Sequence, residues 1–320
     1  MKGLSKDSAS WHDVGDDGAD QRIDNYLTRL LKGVPKSHIY RILRSGQVRV
    51  NSGRIGPDYR VRAGDRVRIP PIRVAQKETP PSGSAASKRF NARIVYEDDV
   101  LLVLDKPAGV AVHGGSGISF GIIEQLRQAR PQAHFLELVH RLDRDTSGVL
   151  LLAKKRSALT ALHEQLRAGR VQKLYLALVH GAWREGRHDI RLPLNKYVLA
   201  SGERRVSVRD GGLASHTRIR VRQTWADFSL LEAELKTGRT HQIRVHLAHS
   251  GFPIAGDDKY GDFALNKDLA RRGLKRMFLH ACKMVVVHPQ SGESIAFEAS
   301  LPEDLQEYLQ RFDAVSEVES

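Results

Sequence analysis

Cysteine is almost absent. Cys282 is the single one among 320 residues, so no intrachain disulfide can form and a reducing compartment is expected. Its stretch, "MFLHACKMVVVHP", reads as a strand carrying a small buried hydrophobe. Long apolar runs are lacking too: none approaches the ~20 residues of a membrane span. The opening "MKGLSKDSASWHD" has no apolar core of signal-peptide length, so a soluble, cytoplasmic protein is expected. Cofactor and metal signatures are also missing. "GGSGISFG" is not G-x-G-x-x-G, no H-E-x-x-H occurs, and His241, His246 and His249 lie in a pattern more typical of satisfied structural histidines. Acidic residues are scarce relative to basic ones, 37 Asp/Glu against 51 Lys/Arg, for a net charge of +14. Such an excess predicts a polyanionic partner, nucleic acid or an acidic membrane surface, and leaves the fold open.

The charge is concentrated. Between Arg22 and Arg73 thirteen Lys/Arg face three Asp, a net of +10 in about a sixth of the chain. Residues 1–18 are polar and rich in Gly, Asp and Ser, a composition of disorder. Then Ile23, Tyr26, Leu27, Leu30 and Leu31 mark an amphipathic helix stopped by Gly33. A second helix, "PKSHIYRILRSG", sets Ile39, Ile42 and Leu43 inward, with Lys36, Tyr40 and Arg44 four apart on an outer face beside Arg41. "QVRVNSGRIG" and "DRVRIP" alternate apolar and basic residues, predicting a small sheet with one positive face. The segment resembles the S4 RNA-binding domain, two helices and a short hairpin. The resemblance implies binding of structured RNA through shape and phosphate contacts, with Arg22, Lys36, Arg41, Arg44 and Arg49 as candidate RNA ligands.

The expected organisation is therefore a disordered terminus at 1–18, an S4 domain at 19–75, a flexible linker at 76–91 ("QKETPPSGSAASKRFN" lies across it) and a larger domain at 92–315. In that larger domain strand patterns dominate and helices intervene irregularly. Helical spacing marks "SALTALHEQLRAG", with Ser157 as N-cap, "HQIRVHLAHSG", with Gly251 as its stop, and a last helix "PEDLQEYLQRF". The fold class is α+β on a mixed, mostly antiparallel sheet.

Three stretches carry candidate chemistry. "HRLDRDTSGVLLLAK" crowds His140, Arg141, Asp143, Arg144 and Asp145 against an apolar strand. For Asp143 alone, a turn or cap is the ordinary explanation, and "DTSG" reads that way well. "KTGRTHQIRVHL" places Arg239, His241 and Arg244 at a helix start, a setting that favours an anion. "QKLYLALV" puts Tyr175 on an apolar strand, where a phenol needs a polar partner or a functional face. Asp143 and Asp145 share one loop rather than flanking a bond, which argues against a glycosidase. "VHGGSG" serves equally as a tight turn or a phosphate cradle.

These stretches, with "VLDKPAGVAVH" and "FLHA" beside them, resemble the signature segments of the RluA-type pseudouridine synthases over residues 91–300. The resemblance implies isomerisation of uridine in 23S ribosomal RNA, at several sites. It implies Asp143 as the catalytic aspartate, Arg141 as the side chain that enters the RNA, Tyr175 as the ring against uracil and a candidate base for the C5 proton, and Arg244 as the partner of Asp143. The reaction breaks N1–C1′, turns the base and joins C5 to C1′. It needs base flipping, an ionised carboxylate near C1′ that an arginine keeps charged, and a modest base at C5. It needs no metal, cofactor or nucleotide energy. Attack on C1′, stabilisation of an oxocarbenium-like centre and removal of a sugar proton all remain open for Asp143. The expected partner is 23S rRNA, with no membrane and no obligate protein partner, and the expected state is a monomer. A rival reading is a non-catalytic RNA-binding or ribosome-assembly factor with an inert synthase fold.

Overall fold

A computed structural model describes residues 8–31, 34, 36–72, 93–114, 120–184, 186–200 and 202–318, and the chain divides into two compact units, Met1–Ser82 and Gly83–Ser320. The linker expected at 76–91, Gly33 as a helix stop and residues 115–117 of the "VHGGSG" turn lie outside the described residues.

The first unit contains β1 (Ser10–Asp13), α1 (Ile23–Leu30), α2 (Lys36–Arg44), β2 (Arg49–Val50), β3 (Gly53–Arg54) and β4 (Arg66–Ile69), with the strands in the order β1-β4-β2-β3. Ile23 and Leu27 of α1, Ile39, Ile42 and Leu43 of α2, and Val50, Val67 and Ile69 of the sheet close one core, as the apolar spacing predicts. Disorder through residue 18 does not hold. Ser10–Asp13 pairs antiparallel with β4, from Ser10↔Ile69 to Asp13↔Arg66, and Val14 behind it is buried. Backbone bonds to an edge hold this strand, so a polar composition gives no sign of it. The expected hairpin is thereby enlarged to a four-stranded sheet.

The second unit runs β5 (Ile94–Glu97), β6 (Leu101–Lys106), α3 (Ile122–Ala129), β7 (Glu137–Leu138), β8 (Ser147–Ala153), α4 (Arg156–Arg167), β9 (Gln172–His180), β10 (Arg187–Ile190), β11 (Leu194–Val198), β12 (Arg204–Val208), β13 (Thr217–Thr224), β14 (Phe228–Leu235), α5 (Gln242–His249), α6 (Phe263–Arg271), β15 (Leu279–Val287), β16 (Ser294–Glu298) and α7 (Glu303–Val318). Ten strands form one sheet, β10-β13-β14-β9-β15-β8-β6-β5, with β16 on β15 and β7 on β8. Only β8 and β15 run parallel among its described pairs. The hairpin β11–β12 stands apart.

The apolar run "GVLLLAK" has a simple cause: β8 is covered on both faces. Leu150 and Leu152 join Leu102 and Leu104 in one core, while Val149 and Leu151 join Leu101 and Val103 in the other. Two details differ from the sequence reading. Helix α4 opens two residues earlier, with Lys155 as its N-cap and Ser157 inside it, and Cys282 is only half-buried, its thiol 3.4 Å from the Leu174 carbonyl.

Candidate active site

The loop between β7 and β8 sorts its side chains by burial. Leu142 enters the core, Arg141 stays exposed, and Asp143, half-buried, enters the cleft. His140 turns inward, where its Nε2 accepts the Leu151 N–H at 3.1 Å, and burial pushes its pKa down to about 4. The Thr146 N–H returns to the Asp143 carbonyl at 3.2 Å, so a turn spans Asp143–Thr146, two residues ahead of the "DTSG" that suggested one, and Ser147 and Gly148 already belong to β8.

Two contacts fix where this loop ends. Gly148, at φ +108, lies against β15 so closely that a Cβ would sit 2.1 Å from the Ala281 carbonyl oxygen. Lys106, wholly buried at the end of β6, reaches under the loop and donates to the carbonyls of Pro107, Val110 and Arg144 at 2.8–2.9 Å. Three ammonium protons meet three acceptors there. Burial pushes the pKa of Lys106 down to about 7, with Asp145 and Asp143 pulling the other way.

Helix α5 supplies the opposing cation. His241 precedes it in the left-handed region (φ 53), and Arg244 lies in its first turn. Arg244 Nη1 donates to Asp143 Oδ2 at 3.2 Å, but its firmer hold is on Asp257, through Nε at 2.7 Å and Nη2 at 2.6 Å. Asp257 is wholly buried and also accepts the N–H groups of Lys259 and Tyr260. Burial works against its charge, and the Arg244 guanidinium together with those two backbone N–H groups outweighs it, holding the Asp257 carboxyl below its ordinary value. A bidentate pair of this kind fixes the plane of the guanidinium, leaving Nη1 to face Asp143. The guanidinium also lies 5.1 Å from the Tyr260 ring. The Tyr260 hydroxyl accepts the Val206 N–H and contacts His241 Nδ1 at 2.8 Å. With the phenol proton given to Nδ1, the imidazole proton sits on Nε2, which faces Asp143 Oδ2 at 3.8 Å.

Tyr175 sits in β9 at an irregularity. Leu176 pairs with His280 and Leu174 with Lys283, so Ala281 and Cys282 both fall opposite Tyr175, a bulge of the kind that re-aims a side chain. Tyr175 is buried, and burial followed by the nearby Asp143 charge raises its phenol well above the ordinary value. Asp143, Tyr175, Arg244, Arg141, Lys173 and His241 line one cleft of about 1020 Å³. The cleft can hold a planar base between an apolar floor and a carboxylate with a fixed guanidinium behind it.

Sequence reasoning missed Lys106, Asp257 and Tyr260. Lys106 stood inside a quoted motif, and "AGDDKYG" bore a visible signal in its paired acids and tyrosine. Among the candidate RNA ligands, Arg22 is engaged by Asp24 at 3.0 Å, Arg41 contacts His38 at 3.3 Å, Arg44 lies over the Tyr40 ring, and Arg49 is exposed on β2. Tyr40 itself turns back to donate to Asp24 at 2.6 Å. The Lys36 side chain lies outside the described residues. No cluster of His, Cys, Asp or Glu able to hold a metal occurs among the described residues, and no helix there is long and apolar enough to cross a membrane.

Residues 100–249 match the model of the RNA pseudouridylate synthase family, and residues 21–67 that of the S4 domain. The ribosomal large subunit pseudouridine synthase C of Haemophilus influenzae is 54% identical over 300 residues, covering 93% of each chain. The Escherichia coli protein of the same name is 55% identical over 299 residues, covering 92% of this chain and 94% of that one. Among solved structures, human RNA pseudouridylate synthase domain containing 4 superposes with a TM-score of 0.60 at 25% identity, over 72% of this chain and 96% of that one. The chain therefore belongs to the RNA pseudouridylate synthase family, as an isomerase of the RluA type that carries an S4 domain ahead of its synthase domain.

Proposed function

We propose that this protein converts uridine to pseudouridine in 23S ribosomal RNA of the large subunit, at several sites, with Asp143 as the catalytic carboxylate. One observation carries the reading: Asp143, Tyr175 and Arg244, from three separate segments, converge on a single cleft. The target nucleotide leaves its helix at a cost of a few kcal/mol. Arg141, exposed at the cleft, fills the vacated stack and contacts phosphate. Uracil packs on the Tyr175 ring while Asp143, steadied by Arg244 and His241, faces C1′. Asp257 acts through Arg244, as a positioning residue. A phenol held neutral by burial suits the packing role of Tyr175 better than proton removal from C5.

The S4 unit, taken as residues 19–75 joined through 76–91 to a synthase domain at 92–315, holds rRNA through Arg22, Lys36, Arg41, Arg44 and Arg49. The names of the relatives support this substrate. The protein acts as a cytoplasmic monomer without an obligate protein partner. An inert assembly factor would have no need of a carboxylate, a fixed guanidinium and a tyrosine in one cleft. The test is purified protein on a 23S rRNA transcript, with pseudouridine read by chemical adduct and primer-extension stops. Wild type is expected to produce stops that Asp143→Asn does not, while both bind the transcript with similar affinity. Conversion by Asp143→Asn at the wild-type rate would remove Asp143 from the role.

A further inference from the structure

The unexpected strand β1 changes the outer face of the first unit. The pairings Trp11↔Arg68, Arg68↔Arg49 and Arg49↔Arg54 set these four residues side by side in one row across all four strands. Directly paired residues share a face, and Val67 and Val50, their neighbours in register, take the buried one. Among the described residues no carboxylate pairs with Arg49, Arg54 or Arg68; Arg68 donates to the Gln47 carbonyl at 3.0 Å. Arg54 folds across Gly46 at the end of α2, where a Cβ would meet its Nε at 2.9 Å. At the other end of the row Trp11 is 42% exposed, and the Arg66 guanidinium lies 5.1 Å from its ring centre. Asp13 reaches Arg66 only at 4.0 Å, with both side chains largely in solvent. A surface serving solubility alone mixes charges of both signs. This row is three guanidiniums ending in an indole.

We infer that this face extends the RNA contact of the S4 unit across its sheet: it stacks an unpaired base on Trp11 and holds the flanking phosphates with Arg68, Arg54 and Arg49, the last already among the candidate RNA ligands. An indole offers any base a π-face, so stacking here is sequence-tolerant, and guanidiniums on either side suit phosphate oxygens. Because Trp11 precedes the residues that match the S4 domain, 21–67, the platform is an addition to that domain rather than part of its common frame. The assignment rests on the RNA-acting reading above and extends it to single-stranded segments of the substrate.

The full chain is titrated with a 12-nucleotide oligouridine and with a 12-base-pair RNA duplex. Trp11→Ala is expected to weaken the oligouridine about tenfold, to leave the duplex within about twofold, and to regain most of the loss as Trp11→Phe. Arg68→Gln and Arg49→Gln are each expected to lower the oligouridine salt slope by about 0.7. A 4-thiouridine version of the oligomer, irradiated on the wild type, is expected to cross-link within the tryptic peptide 7–22. Wild-type binding by Trp11→Ala, equal losses on both probes, failure of Trp11→Phe to restore binding, or cross-links confined to residues beyond 93 would each overturn the proposal. Neither probe requires turnover. Failure here alongside intact pseudouridine formation removes the surface and leaves the enzyme standing, and the converse isolates the catalytic reading.

Discussion

Tyr175 and His140 show how much one inward-turned side chain settles. General-base catalysis contributes about 10²–10⁴-fold, so the two roles open to Tyr175 separate cleanly. If the ring packs on uracil, Tyr175→Phe stays within about tenfold of wild type in single-turnover rate, and Tyr175→Ala falls by more than about a hundredfold. A hundredfold loss in Tyr175→Phe would restore the base role. His140 makes a pH prediction. Its folded pKa, about 4, lies below the ordinary 6.5, so between those values the unfolded chain holds the extra proton. Its stabilisation is therefore complete above pH 6.5 and lost as pH falls toward 4, by roughly 3 kcal/mol in all. Denaturant titrations of His140→Asn should show a flatter stability curve between pH 6.5 and 4 than wild type, and parallel curves would contradict the assignment. Asp143, Tyr175 and Arg244 could be singled out as candidates because a carboxylate crowded by arginines, a phenol on an apolar strand and an arginine at a helix start each call for a partner. Asp257 and Lys106 were not, because their importance lies in partners far along the chain, Arg244 and the Arg144 carbonyl, that only the fold reveals.

Among the elements, the junction of β8 and β15 matters most, since the parallel pair His280↔Ser147 and Ala281↔Gly148 ends the Asp143 loop. Apolar runs identified both strands, and nothing in either stretch announced that they would pair parallel in a sheet whose other described pairs are antiparallel. The sign was the glycine of "DTSG". With φ +108 and a backbone oxygen in the space of a Cβ, Gly148→Ala combines strain with a clash. It is expected to cost about 3 kcal/mol or more and to lower activity by displacing Asp143. Wild-type denaturation midpoint and rate in this variant would show that the junction does not position the loop. Strand β1 is the opposite case: its pairing is almost wholly backbone, so apolar periodicity carried no trace of it.

At the scale of the molecule, composition told most. The +14 charge predicted a polyanion, and its concentration between residues 22 and 73 marked the S4 unit before any motif was read. A chain lacking residues 1–75 is expected to bind 23S rRNA more weakly and with a shallower dependence of log K on log salt, since each lost phosphate contact removes close to one unit of slope. An unchanged slope would move the RNA contacts to the synthase unit. The most direct measurement is a pseudouridine map of 23S rRNA from cells lacking this protein, beside cells rescued with wild type or with Asp143→Asn. The account predicts that specific pseudouridines disappear and return only with wild type. A map unchanged by the deletion, or restored equally by Asp143→Asn, would contradict it.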